Sequence, residues 1–160
     1  MIRVTLVCVG KVKESYFRDA IKEYAKRLQG YCRLQIEEVQ DEKTPDGASP
    51  AEEEKILRTE GERILAKIPQ GAFVVSLEIE GKKLDSVRLA KWIEQKSVQG
   101  ESHLVFVIGG SLGLSGSVKS RANLALSFSD MTFPHQLMRV ILLEQLYRAF
   151  RILAKEPYHK

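Results

Sequence analysis

Apolar β-branched runs alternate with amphipathic stretches along the whole chain. The runs IRVTLVCV (2–9), YCRLQIEEV (31–39), AFVVSLEI (72–79), HLVFVIG (103–109) and LALSFS (124–129) predict five strands. Tyr16, Phe17, Ala20, Ile21, Tyr24 and Leu28 recur at three- and four-residue spacings, which predicts a helix over 15–29. Ile56, Leu57, Ile64, Leu65 and Ile68 do the same over 51–68, and Val87, Leu89, Ala90, Trp92 and Ile93 over 86–97. A long last helix is predicted over 135–155. This alternation is that of an α/β fold with a mostly parallel sheet flanked by helices. Loops are signalled by the polar stretch 40–50, by Pro69-Gln70-Gly71, by Glu80-Gly81-Lys82 and by the glycine-rich GGSLGLSG at 109–116. Ser49-Pro50 ahead of Glu52, Glu53 and Glu54 has the form of a helix start, with a capping hydroxyl, a proline and carboxylates near the positive end of the dipole.

The last helix carries more apolar residues than one buried stripe requires. Leu137, Met138, Val140, Ile141, Leu142, Leu143, Leu146, Tyr147, Phe150, Ile152 and Leu153 leave a second apolar face over, and in a small chain the simplest partner is a second copy, a homodimer. A length of 160 residues, 44% hydrophobic and 29% charged, fits one domain spanning 1–160. No run reaches the roughly 18 apolar residues of a membrane span, and charges follow closely on the first strand, so the expectation is a soluble, cytoplasmic protein without membrane or secretory segments. Cys8 and Cys32 sit in strand-like runs without a CxxC or His-rich neighbour, which points to reduced core thiols and to no metal site. The net charge of +4 is unevenly spread. Residues 1–33 hold eight Lys/Arg against three acids, and residues 37–62 ten acids against three bases. A basic end suits nucleic-acid phosphates, although solvated helix faces account for it equally well.

In open parallel sheets a ligand site forms beyond the carboxyl ends of the strands, here the loops after 79, 109 and 129. Neither G-x-G-x-x-G nor G-x-x-x-x-G-K-[ST] occurs, which argues against a dinucleotide fold and a P-loop. Gly109-Gly110-Ser111-Leu112-Gly113 does match G-x-S-x-G after a strand, and Asp130 with His135 or His159 follows in hydrolase order. That reading lacks an HGGG-type segment upstream, and the chain is short for such a hydrolase. Taken together with Phe128-Ser129-Asp130-Met131-Thr132-Phe133-Pro134-His135, the glycine loop suits a flat purine with a polar ribose and tail, with Leu77 as an apolar wall.

Three segments carry a family likeness: FVIGGSLGLS, LSFSDMTFPHQLMRVILLEQLYRAFRILAKEPYHK and the opening IRVTLVCVGKVKESYFRDAIKEYAKRL. They resemble the RlmH (YbeA-type) family of SPOUT-superfamily methyltransferases, over nearly the whole chain. The resemblance implies a single SPOUT-type domain with a C-terminal trefoil knot, a homodimer, and S-adenosylmethionine (S-adenosyl-L-methionine) as cofactor. It implies methyl transfer to N3 of a pseudouridine in 23S rRNA, with the assembled ribosome as substrate. By motif position the cofactor residues are Leu77, Gly109, Phe128, Ser129, Asp130, Met131, Thr132 and Phe133.

Methyl transfer from a sulfonium needs no metal, but it needs an in-line nucleophile, and an imide nitrogen attacks only once its proton has gone. His159 beside Tyr158 in the tail EPYHK is the expected proton acceptor, with the alternative that cationic surroundings favour the imide anion and no side-chain base exists. His135 reads as a helix-start residue and His103 as structural. Arg139, Arg148, Arg151, Lys155 and Lys160 offer cations for RNA phosphates, with Arg139, Arg148 and Lys160 as the expected contacts; pairing with Glu144 or capping of the helix end competes for them. A methyltransferase, a small serine hydrolase on Ser111 and a non-catalytic RNA-binding dimer are thus separable by what these residues meet in space.

Overall fold

The computed structural model describes residues 1–160, and its elements alternate as the sequence predicts. They run β1 (Arg3–Val9), α1 (Ser15–Leu28), β2 (Arg33–Val39), α2 (Pro50–Leu65), β3 (Phe73–Lys83), α3 (Ser86–Val98), β4 (His103–Ile108), α4 (Gly116–Arg121), β5 (Leu124–Ser127) and α5 (His135–Leu153). The five strands form one parallel sheet in the order β2-β1-β4-β3-β5. Central β1 and β4 are buried along nearly their whole length, because helices cover both faces. Leu6, Phe106, Val75 and Leu126 face α1, α3 and α5; Val7, Val74, Val105 and Val107 face α2 and α4. Cys8 and Cys32 are buried free thiols, and burial pushes the Cys8 thiol up to about 12. No helix is long and apolar enough to cross a membrane.

Local chemistry sets the ends of the helices. Ser49 and Glu52 form the reciprocal capping box of α2, with Pro50 in its first turn. α5 ends in a Schellman turn: Glu156 N–H donates to Arg151 O at 3.0 Å and Lys155 N–H to Ile152 O at 3.0 Å, with Lys155 at φ 57° where glycine is usual. Because α5 lies between α1 and α3, its apolar circumference is largely used within the chain, leaving Leu137, Val140, Ile141 and Ile152 half-exposed.

Two expectations change. Glu80-Gly81-Lys82 is no loop: it belongs to β3, whose pairing with β5 slips between Leu77 and Lys82. A Cβ on Gly81 would lie 2.7–2.8 Å from the Ala125 and Leu126 backbone, so the glycine marks a close strand approach rather than a turn. The glycine-rich stretch in turn ends in α4, a six-residue helix capped by the Ser115 hydroxyl, whose one buried residue, Val118, gives no periodic signal.

Candidate active site

The carboxyl ends of β3, β4 and β5 open into a cavity of about 390 Å³. Its walls are apolar where Leu77, Ile108, Leu126, Phe128, Phe133 and Met138 meet, and its floor is backbone where Gly109, Gly110 and Gly113 pass. Gly113 has φ +87°, and its N–H donates to Gly110 O at 3.1 Å, closing a tight turn. A Cβ on Gly109 would lie 2.7 Å from the Gly113 carbonyl carbon and closer still to its oxygen, so the first glycine is needed for contact with the turn. On the opposite side the loop after β5 is stiffened from within: the Ser127 hydroxyl donates to Ser129 O at 3.1 Å, and Met131 N–H donates to the Ser129 hydroxyl at 3.0 Å.

Of the residues assigned to the cofactor by motif, Leu77, Gly109, Phe128, Ser129, Met131, Thr132 and Phe133 all line this cavity. Asp130 does not: its side chain is 80% exposed and pairs with Lys83 at 2.6 Å, outside the lining. Glu78, His135 and Met138 line the cavity without having been singled out as cofactor contacts. His135 opens α5, and its Nδ1 is buried without a hydrogen-bond partner. Burial first, and then the neighbouring Arg139 cation, hold this imidazole below the usual histidine range. Its signal in the sequence, a histidine after a proline at a helix start, is equally that of an ordinary helix N-terminus.

The serine-hydrolase arrangement is not assembled. The Ser111 hydroxyl lies 3.4 Å from that of Thr44, Asp130 is taken by Lys83, and His159 Nδ1 lies 3.1 Å from Arg148 Nη1. A nucleophile needs its base within hydrogen-bond reach, and Ser111 has none. His103 is structural, bonded to Thr5 Oγ1 at 2.8 Å.

The tail is ordered against α5. The Tyr158 ring meets Tyr147 edge-on at 4.9 Å and lies under the guanidinium of Arg148 at 4.9 Å. The Tyr31 hydroxyl donates to Glu156 at 2.7 Å, which fixes the tail near the amino edge of the sheet. Tyr147 follows Met138 by nine residues, roughly 14 Å along the helix axis. Within one chain, therefore, Tyr158 and His159 stand apart from the cavity.

The RNA role expected of Arg139 is corrected by its burial. The residue is 1% exposed, with Nη1 2.6 Å from Glu38 and Nη2 donating to Val9 O at 3.0 Å and Gly10 O at 2.6 Å. It clamps the start of α5 to the carboxyl ends of β1 and β2. Arg148 pairs with Glu144 at 2.8 Å, and Lys160 is exposed.

A parallel sheet whose last loops wall an apolar cavity defines an α/β domain with its ligand site at the carboxyl ends of the strands. The family described as Predicted SPOUT methyltransferase matches residues 2–159. A ribosomal RNA large subunit methyltransferase H of Carboxydothermus hydrogenoformans is 55% identical over 99% of this chain and all of its own, and one of Bifidobacterium animalis subsp. lactis is 60% identical over the same shares. The putative one of Methanococcus vannielii is 56% identical, again over 99% and 100%. The chain belongs to this methyltransferase H family within the SPOUT methyltransferases. Two solved structures share the fold alone: a probable methylase family protein of Haemophilus influenzae Rd KW20 (12% identity, TM-score 0.55, 100% of this chain and 72% of that one) and the tRNA (m1G37) methyltransferase of Aquifex aeolicus (14%, 0.56, 99% and 75%).

Proposed function

We propose that this chain is a cytoplasmic, homodimeric methyltransferase that uses S-adenosylmethionine to methylate N3 of a pseudouridine in 23S rRNA, acting on the assembled ribosome. The observation that carries the reading is the cavity at the ends of β3, β4 and β5, where seven of the eight family cofactor positions converge. The residues fit the cofactor. Leu77, Phe128 and Phe133 cover the faces of a purine, the backbone groups of the turn Gly109–Gly113 meet its edge, and the hydroxyls of Ser129 and Thr132 suit ribose and tail. When bound, the cofactor supplies an electrophilic methyl group on a sulfonium.

The rest falls to the chain. The walls exclude water and fix the direction from which the acceptor nitrogen approaches, and orientation of this kind supplies several kcal/mol of barrier lowering, up to roughly 7–11 in the best intramolecular models. The proton leaving N3 is taken by His159, assisted by Tyr158, and because Tyr158 packs on Tyr147, nine residues along α5 from the cavity residue Met138, the pair serves the cavity of a second copy. The half-exposed Leu137, Val140 and Ile141 supply the face on which that copy sits. Arg148 and Lys160 accompany the tail and hold RNA phosphates beside it. The trefoil knot of the family belongs to the same proposal.

The test is incubation with labelled cofactor and either unmethylated ribosomes or free 23S rRNA, followed by nucleoside mass spectrometry. N3-methylpseudouridine formed on ribosomes is the expected product. Label on another nucleoside, or none on either substrate, contradicts the proposal.

A further inference from the structure

Among the residues lining the cavity, Glu78 alone carries a formal charge, and the family motif assigns it no role. It lies just past Leu77, where β3 slips out of register with β5, so its backbone is free of the regular strand pairing on that side. The carboxylate is gripped from one flank. Ser76, fully buried, donates its hydroxyl to Oε2 at 2.6 Å, while Oε1 faces Lys119 Nζ at 3.7 Å. Lys119 is half-exposed at 52% and makes no hydrogen bond to the acid, so solvent weakens its hold; the Glu78 side chain is only 20% exposed. A carboxylate offers about four acceptor positions, and these two neighbours leave some of them to the cavity. In apolar surroundings one such charge acts more strongly than on an open surface.

We propose that Glu78 reads the charge of the cofactor, binding its cationic side, and so makes the cavity prefer the methyl donor over the demethylated product. The inference rests on the proposed function for what fills the cavity. Donor and product differ by one methyl group and by one positive charge, since the sulfonium becomes a neutral thioether. A cavity with one fixed negative charge separates them on that difference and releases the product after each turnover. Glu78 thereby acts as a specificity-determining contact, and Ser76 positions it.

Calorimetry on the full chain tests this with S-adenosylmethionine and S-adenosylhomocysteine as the two probes, on the wild type, Glu78→Gln and Glu78→Asp. Glu78→Gln should lose about tenfold in affinity for the donor and under about threefold for the product, with Glu78→Asp recovering part of the difference. Equal losses for both ligands, or none, overturn the assignment while leaving the methyltransferase reading intact. A wild type that binds neither ligand overturns both. Should Glu78→Gln fail to fold, salt titration of the wild type decides: donor affinity should fall with ionic strength while product affinity holds, and parallel behaviour refutes the role.

Discussion

Replacing Gly109 by alanine adds one methyl group at the point where β4 hands over to the cavity floor. That methyl would stand 2.7 Å from the Gly113 carbonyl carbon, whereas carbon atoms in contact rest roughly 3.5–4.0 Å apart, so about 1 Å of overlap must be relieved. The strand is buried and parallel-paired, which leaves the turn 110–113 to move. Overpacking of this kind costs about 1–3 kcal/mol. If that cost falls on the ligand-ready turn, affinity for S-adenosylmethionine drops roughly five- to a hundredfold at about 1.4 kcal/mol per factor of ten. Calorimetry gives the affinity, and urea denaturation shows how much of the cost is general. Gly71→Ala, where an added Cβ meets nothing within 4 Å, is the control and should bind like the wild type. Wild-type affinity in Gly109→Ala would refute the placement of the ligand against this turn.

Further expectations follow from the other contacts. Deleting Tyr158–Lys160 should abolish turnover and spare cofactor binding, and mixing that variant with Gly109→Val should restore part of the activity through mixed dimers; no restoration removes the tail from a neighbour's cavity. Ser111→Ala should keep near-normal activity, and a fluorophosphonate probe should leave the protein unlabelled; labelling at Ser111 would favour hydrolase chemistry. Arg139→Met should lower stability by about 3 kcal/mol, because Glu38 and the carbonyls of Val9 and Gly10 lose their shared donor, and thermal melting below a 1 kcal/mol effect would contradict the clamp. His135 has a depressed pKa in the fold, so the unfolded chain binds its proton first on acidification. Its contribution is present above the ordinary histidine value of about 6.5 and is lost as pH falls through the folded value. His135→Gln should therefore flatten the stability profile just below pH 6.5, and an unchanged slope there would contradict the burial.

The fold was legible because each buried strand of a two-sided sheet must be apolar and each covering helix must show its stripe, and residues 2–9 and 103–109 say so directly. The cavity was legible for a related reason: glycines 109, 110 and 113 beside Phe128 and Phe133 are an unusual pairing of absent and large side chains. What escaped was decided by partners distant in sequence. Gly81 has the local form of a turn residue, and only the backbone of Ala125 makes it a strand position. Arg139 looks like any helix-surface cation until Glu38, a hundred and one residues earlier, and the carbonyl ends of β1 take it inward. Asp130 sits inside the motif stretch yet turns to Lys83, across a strand slip that no local pattern signals. Where the tail lies, packed on Tyr147 and Arg148 rather than beside the cavity, depends on how far α5 carries it from Met138, which no local pattern in EPYHK signals.

The central claim, that the loops after β3, β4 and β5 hold S-adenosylmethionine, is tested most directly by a crystal structure with that compound. Density for its purine between Leu77, Gly109 and Phe128–Phe133, with the methyl group facing outward, is the result predicted. An empty cleft at saturating ligand, or density elsewhere on the molecule, would contradict it.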